Sequence, residues 1–155
     1  KLDQARAYGL DIGIDTSAGS FRDAVDPPVD IVIDVLGGPA FADNLHVLAR
    51  RGRLVMLGQL QGSKADADFE PLLRKRLEVI GTTMRMRALD ERIPLIQAFS
   101  TEVLPGFSAE SSSTTAPLRP VVGATFPMRA IAEAHGAMER DEVFGKVVVE
   151  WGEKR

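Results

Sequence analysis

Apolar, β-branched positions in this chain gather into short runs that end in glycine and alternate with stretches of helical spacing. The two clearest are Val29-Asp-Ile-Val-Ile-Asp-Val-Leu-Gly-Gly38 and Arg51-Gly-Arg-Leu-Val-Met-Leu-Gly58. Runs that are apolar on both faces suit parallel strands with helices on each side. Glycine just past a strand's carboxyl end lets backbone approach a ligand closely, and open α/β sheets bind ligands along that edge. Both glycine ends are therefore expected on one rim of one sheet, and function is expected there.

The remaining pattern fills in around these strands. Residues 1–8 predict a helix with Leu2, Ala5 and Tyr8 on one side, stopped by Gly9. Residues 11–15 alternate as a short strand, 16–20 form a polar loop, and 21–25 predict a short helix ended by Pro27 and Pro28. After strand 29–35, Pro39 opens a helix whose stripe is Phe41, Leu45 and Leu48. Arg50 and Arg51 then supply a cationic last turn before Gly52. Strand 53–57 leads into a polar, glycine-containing loop over 58–68. A helix over 69–76 with Leu72 and Leu73 inward follows, and then strand 77–83. Residues 84–89 lead away from it. Ile93, Ile96, Phe99, Val103 and Leu104 stripe a helix over 91–107, with Pro94 in its first turn. Residues 108–117 are rich in serine and threonine and read as an exposed turn or linker. A strand over 119–126, a helix over 128–139 with Ile131, His135 and Met138 on one face, and a strand over 146–151 complete the chain.

Alternating helices and strands predict an α/β fold with a mostly parallel sheet. The expected organisation is a nucleotide-binding part over 1–107, a linker over 108–118 and a strand-helix-strand segment over 119–155.

Composition narrows the function classes. The 155 residues suit about one domain, and 45% apolar with 26% charged residues is ordinary for a globular protein. A net charge of −3 gives no support for nucleic-acid binding. There is no cysteine, which removes disulfides and thiolate zinc sites from these residues and fits a reducing cytoplasm. No apolar run approaches the roughly 18 residues of a membrane span, and no signal peptide is visible. The chain opens without methionine, in helical pattern and without a capping residue, which reads as a piece of something longer. His46 sits among apolar neighbours as a structural residue, and neither it nor His135 has a second ligand at metal spacing. Arg85 and Arg87 alternate in a solvated stretch. No acid–base pair and no nucleophile with its base is apparent.

Together with Phe126-Pro-Met-Arg-Ala-Ile-Ala-Glu-Ala-His-Gly-Ala-Met138 and Phe144-Gly-Lys-Val-Val-Val149, the two strand motifs resemble the medium-chain dehydrogenase/reductase family. The branch they resemble is the zinc-free NADPH-dependent quinone oxidoreductases, which includes zeta-crystallin-like proteins. The resemblance covers residues 1–151 and rests on the order and spacing of all three stretches. It implies a partial Rossmann-like, doubly wound parallel sheet. The first two strands, the Gly-x-Gly-x-x-Gly-like pyrophosphate turn and the catalytic domain would be missing from these 155 residues.

The same resemblance implies a set of cofactor-binding residues. Lys1 matches a basic position that meets the 2′-phosphate of NADPH, while Thr16 stands where relatives often carry tyrosine. Val35, Leu36 and Gly37 match a loop beside the nicotinamide-side ribose, with Asp34 orienting the turn by capping amides near Pro39 and beyond. Leu57, Gly58 and Gln59 close the next strand on the same rim. Thr82, Thr83 and Met84 match positions lining the nicotinamide. Phe144 departs from the Asn or Thr that relatives place before Gly145 and Lys146.

The function this implies is hydride transfer from NADPH, with NADH as alternative, to a quinone or α,β-unsaturated carbonyl, with no metal. The chain alone is expected to be inactive. An enoyl reductase, a zinc-dependent alcohol dehydrogenase of the same family, and a non-catalytic nucleotide-binding or assembly module are the alternatives. A cytoplasmic homodimer is expected, paired through the edge strand that starts at Leu77 and ends at Thr83. The inner strand 29–35 also needs a neighbour: another copy, residues 11–15, or the strand 146–151.

Overall fold

The computed structural model of the chain describes residues 1–107 and 118–152. Its helices and strands run α1 (Leu2–Arg6), β1 (Val29–Asp34), α2 (Gly38–Val47), β2 (Leu48–Met56), α3 (Glu70–Lys75), β3 (Glu78–Gly81), α4 (Leu89–Ala98), β4 (Val122–Pro127), α5 (Ile131–Glu139) and β5 (Lys146–Glu150). They divide into two compact units. One is Leu10–Ala88 with Leu2; the other holds Lys1, Asp3–Gly9 and the chain from Leu89 onward. The division therefore falls ahead of α4. Residues 108–117 of the expected linker lie outside the described residues.

The first unit is a parallel sheet in the order β1-β2-β3. Val32 pairs with Leu54 and Leu54 with Val79, so these share one face; Ile33, Val55 and Ile80 share the other. Helices cover the first face alone. Leu45 from α2 and Leu48 and Leu54 from β2 are fully buried there, ringed by Val29, Val32, Phe41, Met56 and Leu77. On the other face Ile31 and Ile33 remain 56% and 67% exposed. The sequence pattern of strands covered on both sides is thus met on one side among the described residues. The sheet ends at β1, whose outer edge has no partner strand in it.

Two expected elements are absent from this unit. Residues 11–15 form no strand, since an extended segment without a ladder partner is not one. Residues 21–25 make a turn, with the Ala24 N–H donating to the Phe21 carbonyl at 3.0 Å and no helix continuing toward Pro27.

The end of α2 also differs. Val29 pairs with Leu48 while Ile31 pairs with Arg53, so residues 49–52 bulge from β2 and Arg51 takes a φ of 64°. The stretch expected as the helix's cationic last turn is therefore strand. Its cation comes from α3: the Lys75 ammonium donates to the carbonyls of His46 at 2.6 Å and Leu48 at 2.8 Å. Burial, and then the neighbouring Arg74, push the Lys75 pKa below the ordinary lysine value. Lys75→Met leaves those carbonyls short of donors and is expected to lower stability by about 1–2 kcal/mol, read as a reduced urea midpoint at unchanged slope. His46 itself is exposed and enters through its backbone alone.

In α3 Leu72 is half-buried but Leu73 is 78% exposed. Successive helical residues lie about 100° apart, and in this six-residue helix the inward face takes Leu72 and leaves Leu73 to solvent. β3 is shorter than expected, with one further bond from the Thr82 N–H to the Met56 carbonyl at 3.0 Å.

In the second unit, α4 continues through a π turn over Phe99–Val103 into a 3-10 turn over Leu104–Phe107. The predicted stripe is real in spacing, but Ile93, Ile96, Phe99, Val103 and Leu104 are all exposed. β4 and β5 pair in parallel with α5 as their crossover, the expected strand-helix-strand. The face of α5 that carries Ile131, His135 and Met138 is the exposed one. Ala134 and Ala137 are buried, while Ile131, His135 and Met138 point outward, because two alanines three residues apart let the helix lie close to the strands.

Candidate functional site

The site is built where β2 and β3 part. Met56 and Gly81 are their last paired residues. Beyond them and the Thr82 N–H bond to Met56 the two strands part. The Leu57 N–H donates to the Asp34 carbonyl at 2.7 Å, Leu60 N–H to Val35 at 3.0 Å and Gln61 N–H to Leu36 at 2.9 Å, all toward β1. Residues 82–87 leave from β3 and turn, with the Arg87 N–H reaching the Met84 carbonyl at 3.4 Å. Between the diverging chains opens a cleft of about 590 Å³, lined by Met56, Leu57, Gly58, Gln59, Gly81, Thr82, Thr83 and Met86. It lies at the carboxyl ends of adjacent parallel strands, where open α/β sheets place their ligands.

Five of the expected site residues thus meet: Leu57, Gly58, Gln59, Thr82 and Thr83. Met84 does not line the cleft; the 84–87 turn brings Met86 to the wall instead. Met56, Gly81 and Met86 were not expected. Gly81 follows the rule that flagged Gly38 and Gly58, a glycine at the carboxyl end of a rim strand, and was legible by it. Lys1 belongs to the other unit, where its ammonium pairs with Asp141.

Val35, Leu36 and Gly37 are also off the cleft wall. The Asp34 carboxylate, 4% exposed, accepts the N–H groups of Leu36 at 2.9 Å and Gly37 at 3.0 Å. Its capping therefore acts on the amides just ahead of Pro39, not on those beyond it. The carbonyls of Val35 and Leu36 hold the loop after β2, and the Gly38 N–H donates to Gly62 at 2.9 Å. Gly37 has a φ of 92°, and a Cβ there would fall within the van der Waals shell of the Gly62 carbonyl. At Gly38 a Cβ would meet the Lys64 carbonyl. These glycines admit the 59–64 loop, which braces the cleft from behind.

Every lining residue is uncharged, and the polar groups are one amide and two hydroxyls. No acid–base pair or activated nucleophile is present on the wall, so the cleft can position a ligand but not supply proton chemistry of its own.

The fold and cleft define the class: an α/β chain with a Rossmann-like parallel sheet and a cleft at the carboxyl ends of its strands. Residues 8–149 match the family described as zinc-binding dehydrogenase, and the chain belongs to that family. It is 36% identical over 86 residues to quinone oxidoreductase-like protein 2 of Rattus norvegicus, covering 52% of this chain and 25% of that protein. Among solved structures it is similar to an NAD-dependent alcohol dehydrogenase, with a TM-score of 0.69 and 29% identity over 98% of this chain and 41% of the other. It is likewise similar to the quinone oxidoreductase of Thermus thermophilus, studied with NADPH, with a TM-score of 0.62 and 28% identity over 96% of this chain and 39% of the other. The chain spans less than half the length of each. Of these, the Thermus thermophilus enzyme is an oxidoreductase described in complex with NADPH.

The family's description names zinc, but the residues here do not fit it. Among the described residues no group of three or more His, Asp or Glu stands together, and both histidines are exposed on separate helices.

Proposed function

We propose that this chain is the cofactor-side part of an NADPH-dependent oxidoreductase acting on a quinone or α,β-unsaturated carbonyl. The observation that carries the reading is the uncharged cleft at the carboxyl ends of β2 and β3. The glycines at 58 and 81 leave backbone approachable, Met56, Leu57 and Met86 offer apolar contact to a flat ring, and Gln59, Thr82 and Thr83 offer hydrogen bonds. These residues would hold the nicotinamide end, and the cofactor supplies the hydride. Val35, Leu36 and Gly37 support the wall through the 59–64 loop, and Met84 anchors the turn that presents Met86. A lysine such as Lys1 suits the extra phosphate of NADPH as a point charge, but here it pairs with Asp141 in the other unit and is no part of the cleft.

The chain has no Gly-x-Gly-x-x-Gly turn for the pyrophosphate. By itself it is expected to be inactive and to bind NADPH more weakly than micromolar. Calorimetry tests this: micromolar binding by the isolated chain contradicts it. The longer protein is expected to oxidise NADPH with a quinone and without added zinc. A zinc requirement with alcohol oxidation would assign it to the other branch.

The assembly reading is a cytoplasmic homodimer paired through β3. All four residues of β3 are exposed, Val79 and Ile80 at 39% and 40%, and its outer edge has no strand beside it in the sheet. Sedimentation of the purified chain is expected to show a dimer that Ile80→Lys dissociates; a compact monomer at high concentration contradicts the pairing.

A further inference from the structure

Thr82 on the cleft wall has a partner that restricts what its hydroxyl can do. Arg87, half-buried, curls back from the 84–87 turn, and its Nη2 donates to the Thr82 Oγ1 at 3.3 Å. A guanidinium carries donors and no acceptor, so the hydroxyl enters this bond only as acceptor. A free threonine hydroxyl rotates to offer either a proton or a lone pair. This one is biased to send its proton away from Arg87, and the residue lines the cleft. Donation from a cation also polarises the O–H and strengthens it as a donor in turn. The Arg87 Nε is sealed from solvent without an acceptor among the described residues.

We propose that Arg87 is a positioning residue that makes the Thr82 hydroxyl a dedicated hydrogen-bond donor, so that the cleft selects a ligand with a carbonyl oxygen at this wall. The inference rests on reading the cleft as the nicotinamide site. The carbonyl has two sources, the carboxamide of the nicotinamide ring or the carbonyl group being reduced.

Amide-resolved NMR titrations of the labelled chain test it with three probes: nicotinamide, 3-methylpyridine (the same ring without the carbonyl) and 2-cyclohexenone. Nicotinamide is expected to shift the amides of Gly58, Thr82 and Thr83. Its affinity should fall about fivefold in Thr82→Val and be retained in Thr82→Ser. Affinity for 3-methylpyridine should be the same in all three proteins. Arg87→Met should weaken nicotinamide about twofold and leave 3-methylpyridine unchanged; if that variant does not fold, the Thr82→Val and Thr82→Ser pair carries the test. Hydroxyl dependence for the enone instead of nicotinamide supports the donor and assigns the carbonyl to the substrate. Equal nicotinamide and enone affinities in Thr82→Val and Thr82→Ser overturn the inference and leave the cleft reading standing. No shift at the cleft with any probe overturns the cleft reading, and the inference with it.

Discussion

Gly38→Ala is expected to destabilise the first unit by about 2–3 kcal/mol and to free the loop that braces the cleft. Gly38 has ordinary negative-φ backbone, so alanine brings no conformational strain there. What it brings is a Cβ in the space taken by the Lys64 carbonyl, a rigid backbone group that can move only if the loop moves. Undocking that loop also removes the bond from the Gly38 N–H to Gly62. The loss is a large fraction of the stability of a small domain. Two readouts separate local from global damage: the urea midpoint falls, and the amides of Leu60 and Gln61 lose protection from hydrogen exchange. An unchanged midpoint with protected amides would mean the loop does not rest on this turn.

Leu54→Ala is expected to cost more, about 3–4 kcal/mol. Leu54 lies in the central strand, fully buried with Leu45 and Leu48, and these three are the whole of the sealed core cluster among the described residues. With β1 and β3 on either side, the strand cannot shift to fill the void without breaking ladder bonds on both edges. Leu73→Ala removes the same atoms from a site 78% exposed and should stay within about 0.5 kcal/mol of the parent. Thermal or urea unfolding of the pair measures the difference directly. Equal losses would show that the buried cluster does not carry the unit.

The rim was legible in the sequence because its signals are local. A β-branched run that ends in glycine marks both a strand and its ligand-facing end, and that pattern alone put Gly58 on the rim; Leu57 and Gln59 were added by the resemblance. Thr82 and Thr83 came from the resemblance, and the cleft gathers them with the other three. What escaped depends on partners far along the chain. The end of α2 is set by Lys75, 29 residues from His46, not by the arginines that follow the helix. The carbonyls of Val35 and Leu36 point at the 60–61 loop, so their backbone is committed in a way that no reading of residues 29–38 reveals. Spacing put Ile131, His135 and Met138 on one face of α5 but did not say which face is buried. Ile131 and Met138 are the more apolar residues, but Ala134 and Ala137 are the ones small enough to let the helix approach β4 and β5.

The central claim is that the cleft between the ends of β2 and β3 receives the nicotinamide end of the cofactor. The direct measurement is an amide-resolved NMR titration of the chain with NADPH up to millimolar concentration. The largest shifts are expected at Leu57, Gly58, Gln59, Gly81, Thr82 and Thr83, with small shifts at Leu54 in the core. Shifts gathered instead around the hollow lined by Ile12, Ile14, Val25 and Pro28, with the cleft amides unmoved, would contradict it.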